Sequence, residues 1–159
     1  MEAKKEFMER AIQAAEESVK KGSYGIGAVV VKDNNIISVG LNTLKIDNDP
    51  VNGHPEIDAI RKACKNLKQP YLQECILYST HEPCPMCSSA AIWAKMEGIV
   101  FGVSMEYTKN EMKKRMGGKF SWRQIDISCQ EVLNKGEPKL KLIPDFLKEE
   151  CIKLFDLTV

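Results

Sequence analysis

Three observations predict an α/β fold whose strands lie between helical layers. Short β-branched runs alternate with helical stretches through residue 103, the order that builds βαβ units. The run Ile99-Val100-Phe101-Gly102-Val103 is apolar without alternation, as in a strand covered on both faces. The first helical stretch carries a single apolar face, which needs a sheet to pack on.

That first stretch runs from Lys4 to Lys21. Phe7, Met8, Ala11, Ile12, Ala15 and Val19 recur at helical spacing, charges fill the other face, and Gly22 follows as a stop. Ile26 to Val31 and Ile36 to Leu41 read as two strands joined through Asp33-Asn34-Asn35, so they form a hairpin. Gly25 and Gly27 stand where the backbone passes close to a neighbour. Asn42 to Gly53 reads as a polar loop. His54-Pro55-Glu56 then opens a helix to about Asn66, with proline suited to the first turn. Cys75 to Tyr78 is a strand and Thr80 to Pro83 a loop. Cys84 starts a helix to about Lys95, and Gly98 precedes the strand that ends at Val103.

Beyond Val103 the pattern is weaker. Asn110 to Lys119 is basic, as helix or loop. Ile125 and Ile127 alternate with polar residues as in a strand. Leu140 to Ile143 is expected as an edge strand and Pro144 to Phe155 as a closing helix. No internal repeat or low-complexity tract appears, and residues 1–159 are expected to form one domain.

The composition narrows the class. A chain that is 43% hydrophobic and 28% charged is globular rather than disordered. A formal net charge of +1 gives no overall footprint for a polyanion, although Lys109, Lys113, Lys114, Arg115 and Lys119 could supply a local basic face. The N-terminus has no apolar core of a signal peptide, and no run is long enough to span a membrane. Six cysteines in that context imply free thiols in a reducing compartment, so a cytoplasmic location is expected. Cys64, Cys75, Cys129 and Cys151 are scattered and read as ordinary thiols.

Cys84 and Cys87 are different. Three positions apart in the first turn of a helix, both can face one ion, and the helix N-terminus favours their thiolates. His54 sits before a second helix start and offers an imidazole. Thiolates with imidazole select zinc. Three protein ligands leave one position open for water, as in catalytic zinc sites, and zinc lowers that water's pKa from about 15.7 toward roughly 7 to 9. Glu56, two residues after His54, is placed to carry protons between that water and a bound substrate. A closed structural site remains the rival. It needs a fourth ligand, for which His81, three residues before Cys84, is the main candidate.

His-x-Glu followed by Pro-Cys-x-x-Cys is the pattern of zinc deaminases. Around it, Gly27 to Asp33, Gly40-Leu41-Asn42, His54-Pro55-Glu56-Ile57-Asp58-Ala59-Ile60, Leu77-Tyr78-Ser79-Thr80 and Glu82-Pro83-Cys84-Pro85-Met86-Cys87 resemble the cytidine-deaminase-like superfamily. The likeness is greatest to the branch of guanine deaminase, yeast-type cytosine deaminase and tRNA-specific adenosine deaminase. It implies a three-layer α/β/α sandwich with a central five-stranded mixed sheet, one zinc per subunit, a homodimer or larger assembly, and hydrolytic release of ammonia. By the same resemblance His54, Cys84 and Cys87 hold zinc, Glu56 shuttles protons, and Asn42 holds the substrate ring. Trp93 matches an aromatic near the subunit interface of guanine deaminases and is by that resemblance a candidate substrate contact. Those enzymes also share a Gly-Phe-Asp-Asp segment. Here Gly118-Lys119-Phe120-Ser121-Trp122-Arg123-Gln124-Ile125-Asp126 stands in its place, with Asp126 as the candidate acidic reader.

Guanine is the substrate expected first, then cytosine or cytidine, then the wobble adenosine of tRNA. A zinc-stabilised binding module without catalysis is the rival of another class. It would be indifferent to the loss of Glu56.

Overall fold

The computed structural model describes residues 1–115, 117 and 125–158. Helix α1, Lys5–Lys20, leads into strands β1, Gly27–Lys32, and β2, Asn35–Leu41. Asp33 and Asn34 alone turn this hairpin, with φ of 50° and 59°. Two consecutive positive φ values make a turn whose twist matches that of the strands, and Asp and Asn tolerate them. The short helix α2, Leu44–Asp47, interrupts the expected polar loop before α3, Pro55–Leu67. Next come β3, Cys75–His81, α4, Pro85–Trp93, β4, Gly98–Val103, and α5, Met105–Arg115. After the gap in the described residues follow α6, Cys129–Lys135, β5, Lys141–Ile143, α7, Lys148–Ile152, and α8, Phe155–Thr158.

The five strands form one mixed sheet in the order β2-β1-β3-β4-β5. β1 is antiparallel to both β2 and β3, whereas β3, β4 and β5 run parallel. Alternate side chains of the strands feed two cores. Ala28, Val30, Leu77, Ile99 and Phe101 pack with Ala59, Ile60 and Ala63 of α3, Ala91 of α4 and Leu133 of α6. Val29, Val31, Tyr78, Val100 and Val103 pack with Phe7, Met8 and Ala11 of α1, Met112 of α5 and Phe155 of α8. Full burial of each large aliphatic side chain stabilises the fold by about 1.5–3 kcal/mol. Covering on both faces explains the unbroken apolar runs, and the expected three-layer sandwich is the one observed.

Several boundaries differ from expectation. β3 continues through Thr80 and His81, because His81 pairs with Val103 in the parallel ladder. Ile125 and Ile127 lie in an irregular, exposed segment rather than a strand. Alternation alone does not make a strand where no neighbouring edge is available. The single closing helix is two short helices, α7 and α8, split after Ile152. α6 was not anticipated, although Ser128 and Glu131 form a full capping box at its start, a pattern visible in Ser128-Cys129-Gln130-Glu131.

Two glycines set the spacing of the layers. A Cβ on Gly27 would overlap the Ala11 carbonyl of α1, and one on Gly40 would overlap the Pro55 carbonyl of α3. Gly40 therefore lets the first turn of α3 rest on β2, which fixes the height of His54 and Glu56 above the sheet.

Candidate active site

His54 is the N-cap residue of α3 and Cys84 the N-cap residue of α4. Both have extended backbones, and neither makes a side-chain capping hydrogen bond. Cys87 lies in the first turn of α4 and Glu56 in that of α3. Two helix N-termini thus converge at the ends of the inner strands, each with unpaired N–H groups and a partial positive charge. The Cys87 amide lies near the Cys84 sulfur and favours its ionised form.

The three atoms able to hold a metal ion are close-set. The two sulfurs are 3.6 Å apart. His54 Nδ1 is 3.8 Å from Cys84 Sγ and 3.5 Å from Cys87 Sγ. Zinc bonds of about 2.3 Å to sulfur and about 2.0 Å to nitrogen at tetrahedral angles place ligand atoms about 3.8 Å and about 3.5 Å apart. The observed edges, 3.5 to 3.8 Å, lie within about 0.3 Å of those values. It is the one group of three or more such side chains among the described residues able to hold a metal ion. His81 does not belong to it. Its ring contacts Thr80 Oγ1 at 2.9 Å and stacks edge-on against Phe155. The four remaining cysteines form no disulfide and lie outside the group, as expected.

Glu56 is 4% exposed. Its Oε1 accepts a hydrogen bond of 2.8 Å from Ser79 Oγ on β3, and its Oε2 lies 3.5 Å from Cys87 Sγ. Burial pushes its carboxyl above the usual range, against the opposing pull of the His54 ring, and the nearby Cys84 pushes the same way as burial. In the metal-free site Cys84 is drawn down to about 4, chiefly by the hydrogen bond from Cys87 and then by that of His54. Cys87 is driven up, because it donates that bond and is buried beside Glu56.

Asn42, just after β2, is 3% exposed. Its Oδ1 accepts from Ser23 Oγ at 2.6 Å and from the Leu44 amide at 3.3 Å. Thr43 N–H bonds to the Gly53 carbonyl at 3.0 Å, which ties this loop to the residue before His54. Trp93, at the far end of α4, is 81% exposed. It lines a groove of about 610 Å³ with Ile92, Ile127 and Val132, away from the thiolates. It is therefore neither a core residue nor a neighbour of Cys87. Asp126 is exposed and pairs with Lys109 at 2.7 Å. Residues 118–124 of the segment expected to carry the substrate reader lie outside the described residues.

Two buried groups had no role in the sequence reading. Ser79 could have been suspected as a polar residue inside an otherwise apolar strand. Glu82 stood in plain view in Glu82-Pro83-Cys84, yet spacing alone assigned it nothing.

A partly buried His/Cys/Cys triangle with an adjoining buried carboxylate, at the helix starts of an α/β/α sandwich, defines a zinc-dependent aminohydrolase. Residues 1–103 match the cytidine and deoxycytidylate deaminase zinc-binding region, and the chain belongs to that family. It is 40% identical over 126 residues to a guanine deaminase of Bacillus subtilis (strain 168), covering 79% of this chain and 78% of that one. It is 35% identical over 152 residues to a tRNA-specific adenosine deaminase of Buchnera aphidicola subsp. Baizongia pistaciae, covering 94% and 84%. Among solved structures it superimposes with a TM-score of 0.78, at 25% identity, on a chain from a study of A-to-I editing by tRNA:A34 deaminases at the wobble position of transfer RNA. That match covers 95% of this chain and 99% of the other.

Proposed function

We infer that this zinc deaminase hydrolyses guanine to xanthine and ammonia, with His54, Cys84 and Cys87 as metal ligands and Glu56 as the proton carrier. One observation carries the mechanism. Glu56 is buried against the ligand triangle, with one oxygen held by Ser79 and the other turned toward Cys87. Zinc, when bound, supplies a Lewis acid that makes water nucleophilic near neutral pH. Glu56 would take one proton from the attacking water and pass it to a ring nitrogen, then take the second from the added hydroxyl as the carbonyl forms and deliver it to the departing amine. Its burial favours the protonated form, which suits a group that must hold a proton between two steps. Asn42 holds the ring, with its oxygen occupied by Ser23 and Leu44 and its amide nitrogen left to donate. Asp126 is the candidate reader of the amine-bearing edge.

The preference for guanine rests on the 40% identity to the Bacillus subtilis enzyme. It is supported by the charges on α5. Lys109 pairs with Asp126, and Arg115 pairs with Glu111 and Asp156, which reduces the basic face that a tRNA would need. The tRNA wobble adenosine is the second reading, favoured by the extent of the structural match. Residues 1–159 act as one domain, and the apolar surface around Trp93 suits pairing with a second copy.

The test is an ammonia-release screen of the zinc-loaded protein on guanine, guanosine, cytosine, cytidine, adenine, adenosine and a tRNA anticodon hairpin. Guanine is expected to be turned over fastest. Release from the hairpin alone would replace this reading with the tRNA one. No membrane-spanning helix occurs among the described residues.

A further inference from the structure

Glu82 lies two residues before the ligand Cys84 and is buried. Its backbone N–H donates to the Val103 carbonyl at 2.7 Å, which pins it to the end of β4. Its carboxylate then takes one hydrogen bond with each oxygen. Oε2 accepts from the Met105 amide at 2.6 Å and Oε1 from the Cys129 amide at 2.8 Å. Met105 is the first residue of α5 and Cys129 the first of α6. A single buried carboxylate therefore bridges two helix N-termini, where N–H groups are unpaired and the dipole favours negative charge.

The position of this bridge in the chain gives it a meaning. Glu82 belongs to the region the family shares, residues 1–103, whereas Met105 and Cys129 lie beyond it. α6 also packs on α4, which carries Cys87, and Asp126 stands three residues before α6. Ser88 Oγ donates to the Pro83 carbonyl at 3.2 Å, so the metal loop on the other side of Glu82 is separately held.

We propose that Glu82 is a positioning residue that registers α5 and α6 on the metal loop, setting where these two helices stand relative to the zinc site. Its carboxylate does not hold the metal. It fixes the two helix starts that bound the segment between them. Loss of the bridge shifts α5 and α6 and leaves His54, Cys84 and Cys87 in place. The effect on substrate follows from the deaminase reading above, with Asp126 as reader. The effect on the two amides does not depend on it.

The experiment compares wild type, Glu82→Gln and Glu82→Ala as zinc holoproteins. Gln keeps one carbonyl acceptor but turns an NH₂ toward a backbone N–H, so one of the two bonds is lost. Amide exchange by NMR is expected to quicken at least about tenfold at Met105 and Cys129, the size of a lost hydrogen bond to a charged group. Exchange across the first turns of α3 and α4 stays unchanged, as does the zinc content. KM for the base turned over in the screen rises about tenfold, with kcat changed by less than about threefold. Unchanged exchange at the two amides overturns the proposal. So does zinc loss, or faster exchange spread evenly over the molecule, since either makes Glu82 a support for the ligands or for the fold at large. If the Ala variant does not fold, the Gln variant decides. If no base in the screen is turned over, the exchange and zinc measurements still decide on Glu82, and only the substrate reading fails.

Discussion

The Ser79 hydroxyl donates to Glu56 Oε1 at 2.8 Å, so a β3 side chain from the floor of the site aims the one carboxylate that borders the metal ligands. Because Ser79 holds Oε1, the other oxygen is the one that faces Cys87 and accepts from its sulfur at 3.5 Å. Glu56→Gln keeps the shape and removes the exchangeable proton. We expect zinc content at the wild-type level and kcat lower by about 10²–10⁴-fold, the range for a lost general acid–base group. Metal analysis and ammonia release check it. Wild-type turnover in this variant would remove Glu56 from the mechanism.

Ser79→Ala tests the aim itself. The Ser79 hydrogen bond favours the ionised form of Glu56 and works against the dominant effect of burial. Its removal raises the carboxyl further. The acid limb of the kcat/KM profile, where Glu56 must lose its proton, should therefore move to higher pH. A profile that stays in place would show that Ser79 does not tune this group.

Burial of Glu56 also has a sign in stability. Its folded pKa is raised, so the neutral form is favoured in the fold. In metal-free protein the contribution is fully present below the unfolded pKa and is lost as pH rises through the folded one. Gln is neutral throughout. The Tm of metal-free Glu56→Gln minus that of the metal-free wild type should grow as pH rises across this window. A difference that is flat with pH would contradict it.

The thiols should separate sharply by reactivity. With Cys84 near 4 in the metal-free protein, iodoacetamide at pH 6 to 7 is expected to modify Cys84 first. Cys151, buried and pushed to about 12, should stay unmodified. Zinc should protect Cys84 and raise Tm with the logarithm of its free concentration. Peptide mapping by mass spectrometry reads the order, and equal labelling of Cys84 and Cys151 would refute it.

Gly40→Ala probes how the sheet places the site. The new Cβ would overlap the Pro55 carbonyl, so α3 must shift where His54 and Glu56 begin it. We expect a loss of about 1–3 kcal/mol in stability, with faster zinc transfer to a chelator. Denaturant unfolding and a chelator assay check the two effects separately.

The sequence by itself determined the alternation of helix and strand, the hairpin through Asp33-Asn34-Asn35 and the His54, Cys84 and Cys87 group able to hold a metal ion. Each is written in local spacing. Turn chemistry needs neighbouring residues, and thiolates three apart at a helix start face one ion whatever surrounds them. Only the tertiary structure decided that His81 turns away to Thr80 and Phe155, that Ser79 aims Glu56, that Trp93 lies exposed far along α4, and that Glu82 bridges α5 and α6. These relations join residues brought together by strand pairing and layer packing, and Glu82 and Cys129 are 47 positions apart. No periodicity in the chain encodes a hydrogen bond between groups so distant, because the fold must first place both ends.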